Sequence, residues 1–197
     1  MGKRCFDVLG AALALLLLWP LLMVVAALIK LDSPGPVFFR QTRVGRFGVP
    51  FQIHKFRSMQ HGAAGLQITV GADARITRCG RWLRRTRIDE LPQFIDVLQG
   101  TMSLVGPRPE VPRYVALYPP ALRVRIFAVR PGITDPASLF YIDEAELLAR
   151  AADPEREYID TILPAKLKAA ADYAENATWA SDVAVLWRTL LRLAQGR

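Results

Sequence analysis

The run from Val8 to Ile29, VLGAALALLLLWPLLMVVAALI, carries no charge and is long enough to cross a hydrocarbon core as one helix. Whatever else the chain builds must be arranged around that segment. Pro20 stands near its middle, where it removes a helix hydrogen bond and forces a bend. Lys3 and Arg4 precede the run and Lys30 follows it, so the flanking charge gives no reason to put its two ends on opposite sides of a membrane. The sequence therefore predicts a re-entrant helix broken at Pro20, dipping into one leaflet with both ends cytoplasmic. An ordinary span that tolerates its proline is the competing reading. A cleaved signal peptide fits less well, because the apolar region is too long and lacks a small-residue cleavage site. Asp32-Ser33-Pro34-Gly35-Pro36 closes the segment as a turn cluster. Residues 1–32 thus read as a membrane anchor and 33–197 as a cytosolic, membrane-associated catalytic domain.

Charge and hydropathy narrow the partners. A net charge of +8 calls for an anionic partner. A hydrophobic fraction of 52% and a positive mean hydropathy favour membrane lipid over nucleic acid, for which no binding module is present. Cys5 and Cys79 match neither a metal spacing nor a disulfide framework and read as reduced thiols.

Beyond the anchor, Val37–Gln41 and Pro50–His54 read as two strands of a hairpin around Gly45 and Gly48. Lys55 and Arg57 follow beside Ser58, as a solvated edge or as phosphate ligands. His54 and His61 have no ligand-spaced companions and read as structural. Residues 62–74 form a small polar loop. Arg75–Arg87, with Ile76, Trp82 and Leu83 interleaved, reads as a helix on lipid headgroups or as a phosphate-binding face. Glu110–Ala128 looks helical in pieces, Arg130–Thr134 is a turn with an arginine at its entry, and Glu144–Ala177 is helical with Pro154 and Pro164 as punctuation. In the last helix Val183, Leu186, Trp187, Leu190, Leu191 and Ala194 fall on one stripe, suited either to a membrane interface or to the core. The fold class is α+β, mainly helical with a small β-hairpin, in a monotopic membrane protein.

The chemistry converges on Ile88-Asp89-Glu90-Leu91-Pro92-Gln93. Apolar residues at Leu91, Phe94, Ile95, Val97 and Leu98 predict a helix over about Asp89–Gln99, stopped by Gly100 and started near Pro92. Two acids at a helix start are commonly caps. Here Arg75, Arg78, Arg81, Arg84, Arg85 and Arg87 lie upstream, and Gly106-Pro107-Arg108-Pro109 follows. Such a set of cations around two carboxylates suits a polyanion site that also needs a nucleophile, a base or a metal ligand.

With these motifs in hand, the chain resembles the small monotopic phosphoglycosyl transferases of the bacterial sugar transferase family over nearly its whole length. The resemblance rests on Lys3-Arg4-Cys5-Phe6-Asp7, Pro36-Val37-Phe38-Phe39-Arg40-Gln41 with Arg43 and Gly45, and Lys55-Phe56-Arg57-Ser58-Met59. It continues through Arg84, Ile88–Gln93, Met102–Pro109 and Arg130-Pro131-Gly132-Ile133-Thr134. It implies transfer of a sugar-1-phosphate from a nucleoside diphosphate sugar, usually a uridine one, to polyprenol phosphate at the cytoplasmic face of the bacterial inner membrane. It also implies the re-entrant helix. Asp89 matches the nucleophile, with Mg2+ assisting and Asp89 as metal ligand; Glu90 is the second acid of the pair. Arg108 matches a phosphate-holding position, and Lys55, Arg57, Arg84 and Arg130 are further phosphate-binding candidates. A homodimer is left open.

Three positions depart from the family pattern: Trp19 stands where Ser commonly precedes the proline, Thr101 where Asp is usual, and Asp135-Pro136-Ala137-Ser138 where Gly-Trp-Ala-Gln is frequent. The last bears on which donor is used. A reading from another class is a non-enzymatic basic adaptor that binds anionic lipid or an acidic partner; it leaves the Asp-Glu pair and the Gly-Pro-Arg-Pro turn unexplained.

Overall fold

A computed structural model describes residues 2–136 and 144–195. Its first element, α1 (Gly2–Asp32), is a single helix in which Pro20 does not end the helical hydrogen bonding, so the interruption expected at Pro20 is not a gap in secondary structure. One stripe of α1, through Asp7, Ala11, Val25 and Ile29, is buried. The opposite face leaves Leu9, Leu13, Leu16, Leu17, Trp19 and Met23 exposed.

Polar side chains fasten α1 to the body at both ends. Near its start the buried Asp7 accepts from Ser103 Oγ at 2.8 Å and Leu104 N at 3.1 Å. Arg4 donates to the carbonyls of Val97 and Leu98 at 2.7 and 3.2 Å. Near its end Arg57 donates to the carbonyls of Ser33 (2.8 Å), Ile29 and Pro34, and Asp32 accepts from Cys79 N at 2.9 Å. Carbonyls at a helix C-terminus lack intrahelical donors, and a guanidinium satisfies several at once.

The hairpin forms as expected and runs longer. β1 (Phe38–Val44) and β2 (Pro50–Phe56) pair antiparallel, with Phe39 opposite Lys55. Phe47 and Gly48 take positive φ in the connection, which lets a short turn reverse the chain. α2 (Arg78–Arg85) is capped by Thr77, whose hydroxyl accepts from Gly80 N at 2.9 Å. A 3-10 turn, Ile88–Glu90, precedes α3 (Gln93–Gln99), which Gly100 ends at φ 85°. The α-helix thus begins four residues later than the apolar spacing predicts, because the Pro92 region forms turns before the helix is established.

The sequence does not announce the next pairing. β3 (Ser103–Val105) lies parallel to β4 (Gly132–Thr134), in the stretch read as a turn. Their approach requires glycine: a Cβ on Gly132 would lie 2.1 Å from Gly106 N. The remaining elements are α4 (Pro112–Val115), α5 (Pro120–Ile126), α6 (Glu144–Ala149), α7 (Pro154–Glu157), α8 (Leu163–Asn176) and α9 (Trp179–Ala194). A π-turn over Tyr158–Ile162 joins α7 to α8. Tyr114, Leu148, Tyr158 and Leu167 centre one apolar cluster. A second, beneath the first turns of α1, joins Ala11, Ile53, Met102, Leu104 and Val185, and a third joins Val25 and Ile29 to Phe56 and Leu83.

α9 divides its apolar residues between the body and solvent. Asp182, Val185, Leu186 and Thr189 face the body, whereas Trp187, Leu190 and Leu191 on the apolar stripe are exposed. Most of the stripe points outward, as an interfacial helix requires.

Candidate active site

Arg87 adopts a left-handed conformation, φ 58°, unfavourable for a side-chain-bearing residue. It turns the chain so that Asp89 and Glu90, only 7% and 8% exposed, enter the protein surface together. Glu90 Oε1 accepts from Lys55 Nζ at 2.6 Å and from Arg108 at 2.5 Å, with Arg87 at 3.9 Å. Burial alone would raise the Glu90 pKa. Arg108, Lys55 and Arg87 overcome it and hold the group well below the usual carboxylate range.

Asp89 sits differently. Burial raises its pKa, Lys55 opposes that, and the negative charge of Glu90 adds to it. Its Oδ1 is buried without a hydrogen-bond partner. Asp89 stands in the 3-10 turn ahead of the α-helix, not at the helix start where the apolar spacing put it. The helix starts at Gln93, and the favourable charges come from Lys55, Arg84 and Arg87 while desolvation prevails. A buried carboxylate oxygen with no donor costs free energy unless a cation or substrate meets it.

Among the phosphate-binding candidates, Lys55, Arg84 and Arg108 come together on the wall of one cavity with the dyad. Arg84 is steadied by Thr69, to whose hydroxyl it donates at 2.6 Å, and burial lowers its pKa against the pull of Asp89. Two others are placed elsewhere. Arg57 borders the cavity but is 3% exposed, its guanidinium committed to the end of α1. Arg130 donates to Gly100 O at 2.8 Å, away from the cavity lining. Each spends its charge on backbone carbonyls, which sequence spacing does not reveal.

Several contributors have no site role assigned from the sequence. Arg43 on β1 donates to Pro109 O at 3.0 Å, Glu110 at 3.2 Å and Gln41 at 2.7 Å, so it pins the loop that carries Arg108. Tyr158 donates to Glu110 at 2.6 Å, and burial pushes its pKa far above the ordinary phenol value. Arg87 was one basic residue among six until its backbone was seen. His54, read as structural, holds Asp96 through its ring at 2.6 Å and its backbone N–H at 2.9 Å, tying β2 to α3.

The cavity encloses about 1870 Å³, more than the several hundred cubic ångströms of a usual small-molecule site. Its polar part holds Lys55, Arg84, Asp89, Glu90 and Arg108, and its apolar part reaches Ala14 and Leu18 of α1. Among the described residues no group of three or more His, Cys, Asp and Glu could hold a metal ion. Mg2+ usually takes one or two carboxylates and completes its shell with substrate phosphates and water. The partnerless oxygen of Asp89 fits that pattern as a single protein ligand.

The bacterial sugar transferase sequence profile matches residues 1–196. The chain belongs to the bacterial sugar transferase family. Among the chain's relatives, an Aeromonas hydrophila protein named UDP-N-acetylgalactosamine-undecaprenyl-phosphate N-acetylgalactosaminephosphotransferase is 40% identical over 98% of this chain and 44% of its own length. A Caulobacter vibrioides UDP-glucose:undecaprenyl-phosphate glucose-1-phosphate transferase is 43% identical over 82% of this chain and 63% of its own. An exopolysaccharide production protein of Rhizobium leguminosarum is 54% identical over 54% of each. The chain spans roughly half the length of the curated relatives it matches. The family members differ in the sugar their names carry.

Proposed function

We propose that this bacterial sugar transferase moves a sugar-1-phosphate from a nucleoside diphosphate sugar to a polyprenol phosphate through a covalent intermediate on Asp89. The first two relatives are named for UDP-sugars and undecaprenyl phosphate, which makes uridine the nucleotide to try first. The observation that carries the reading is Asp89 itself. It is a buried carboxylate with a partnerless oxygen, beside Lys55 and Arg84 on a cavity that reaches α1.

Asp89 attacks the sugar-bearing β-phosphorus. A carboxylate O–P bond forms, the pyrophosphate P–O bond breaks, and its electron pair leaves with the nucleoside monophosphate. The phosphate of the acceptor then attacks the same phosphorus. Its oxygen forms the new pyrophosphate, and the electrons of the aspartyl O–P bond return to the carboxylate. Neither step requires a net proton when the departing and attacking phosphates are dianions. Lys55, Arg84 and Arg108 offset the charge of the approaching anions. Glu90, held ionised by Arg108 and Lys55, fixes those cations in place. Asp89 would hold a magnesium ion, which would supply further charge neutralisation.

The re-entrant anchor belongs to the same reading. Ala11 joins the apolar cluster that contains Ile53, and Ile29 the one that contains Phe56. A bend near Pro20 would leave both ends of α1 at the cytoplasmic face of the inner membrane.

Steady-state kinetics test the reaction. Varying donor against polyprenol phosphate should give parallel double-reciprocal lines, and Asp89→Asn should abolish turnover. Intersecting lines, or an Asp89→Asn protein that still turns over, would overturn the scheme. An adaptor would give no turnover at all.

A further inference from the structure

α9 lies against the anchor where the cavity turns apolar. Val185 and Leu186 pack in the cluster that contains Ala11 of α1. Thr189 Oγ1 lies 2.8 Å from Thr134 Oγ1 on β4, and Asp182 pairs with Lys3 and accepts from Tyr173 at 2.6 Å. These bonds fix the rotation of the helix. Leu186 and Leu190, one turn apart, then line the cavity together with Ala14 and Leu18 of α1, Phe94 of α3 and Ile133 of β4.

The same cavity contains Asp89, Lys55 and Arg84. The lining thus has a cationic part that holds the reacting carboxylate and a part, contributed by α1, α3, β4 and α9, that is mainly apolar but also carries Thr134, Thr189 and Arg192. That mainly apolar part borders the face of α1 on which Leu13, Leu17 and Trp19 are exposed, and Leu190 is itself 60% exposed. A ligand with a phosphate head and a long apolar tail matches both parts. Its head reaches Asp89 while its tail leaves between α1 and α9 into the bilayer. A sugar nucleotide, polar throughout, has no use for the second wall.

We propose that α9, through Leu186 and Leu190, forms one wall of the groove that takes the first isoprene units of the acceptor. This rests on the two-step reaction described above. The half-reactions separate the two claims, because the acceptor enters only the second.

The test uses the full chain in detergent micelles or nanodiscs, with Leu190→Asp and the milder Leu190→Ser. Leu190 is more than half exposed, so neither substitution opens the core. Nucleoside monophosphate release without acceptor should match wild type. The KM for a long-chain polyprenol phosphate should rise roughly tenfold or more in Leu190→Asp, in line with the loss of one buried apolar side chain. With methyl phosphate as a surrogate acceptor, which carries no isoprene unit to reach the wall, the variant and wild type should differ little. A variant slowed in donor-only release, or one with unchanged acceptor KM but weaker association with vesicles lacking polyprenol, would overturn the proposal; the second result would assign this face to bulk lipid. If wild type released no monophosphate without acceptor, the covalent reading would fall and this one with it.

Discussion

Asp89 and Glu90 are neighbours in the chain, yet their surroundings push them in opposite directions. Desolvation raises Asp89, whereas Arg108, Lys55 and Arg87 hold Glu90 low against its burial. For Asp89 the folded protein binds the proton more tightly than the unfolded chain, so its ionisation costs stability as pH rises above the unfolded value, and Asp89→Asn removes that cost. For Glu90 the stabilisation is present above the unfolded value and is lost as pH falls through the depressed folded one. Asp89→Asn should therefore raise Tm near neutral pH while abolishing activity. Glu90→Gln should lower Tm by about 5 °C, the consequence of leaving Lys55 and Arg108 without their carboxylate. Thermal melts of both variants at pH 7.5 check the signs; equal shifts would contradict the opposed environments. Activity should also fall as pH is lowered through the raised Asp89 value, since the attacking group must be ionised. The dyad, Lys55, Arg84 and Arg108 were legible in the sequence because carboxylates and cations clustered there. Arg57 and Arg130 were misplaced for the same reason: residue type announces a charge but not whether a phosphate or a helix carbonyl receives it.

Among the elements, those with a clear period were readable and those without one were not. The apolar run of α1 and the glycines between β1 and β2 gave their elements directly, and the stripe of α9 gave its amphipathic character. The parallel pairing of β3 with β4 was invisible. Three-residue strands carry no periodicity, and their partners lie far apart in the chain. What identifies them is the contact between Gly106 and Gly132, a property of the assembled backbone. Pro20 was correctly noticed, but the helix runs on through it, since an apolar helix can lose one hydrogen bond and bend without ending. The bend has its own test. With Cys5 and Cys79 replaced by serine, single cysteines at Gly2 and Ser33 should both react with a membrane-impermeant maleimide only from the cytoplasmic side. Labelling of the two from opposite sides would show an ordinary span.

At the scale of the whole molecule, the charged dyad and a broad exposed apolar surface belong to one fold. That surface is made by residues of α1, Trp82 on α2 and the outer stripe of α9. The dyad opens into a cavity that reaches that side. Composition pointed to a membrane and to an anionic partner. The two-part cavity required the fold, because its walls come from α1, α3, β4 and α9, which no local pattern links. The central claim is that Asp89 carries the sugar phosphate between the two substrates. Peptide mass spectrometry of wild-type protein incubated with donor and Mg2+ but no acceptor tests this directly. The account predicts a phosphosugar on the peptide containing Asp89 that disappears when polyprenol phosphate is added. An unmodified Asp89 peptide in an enzyme that turns over once both substrates are present would contradict it.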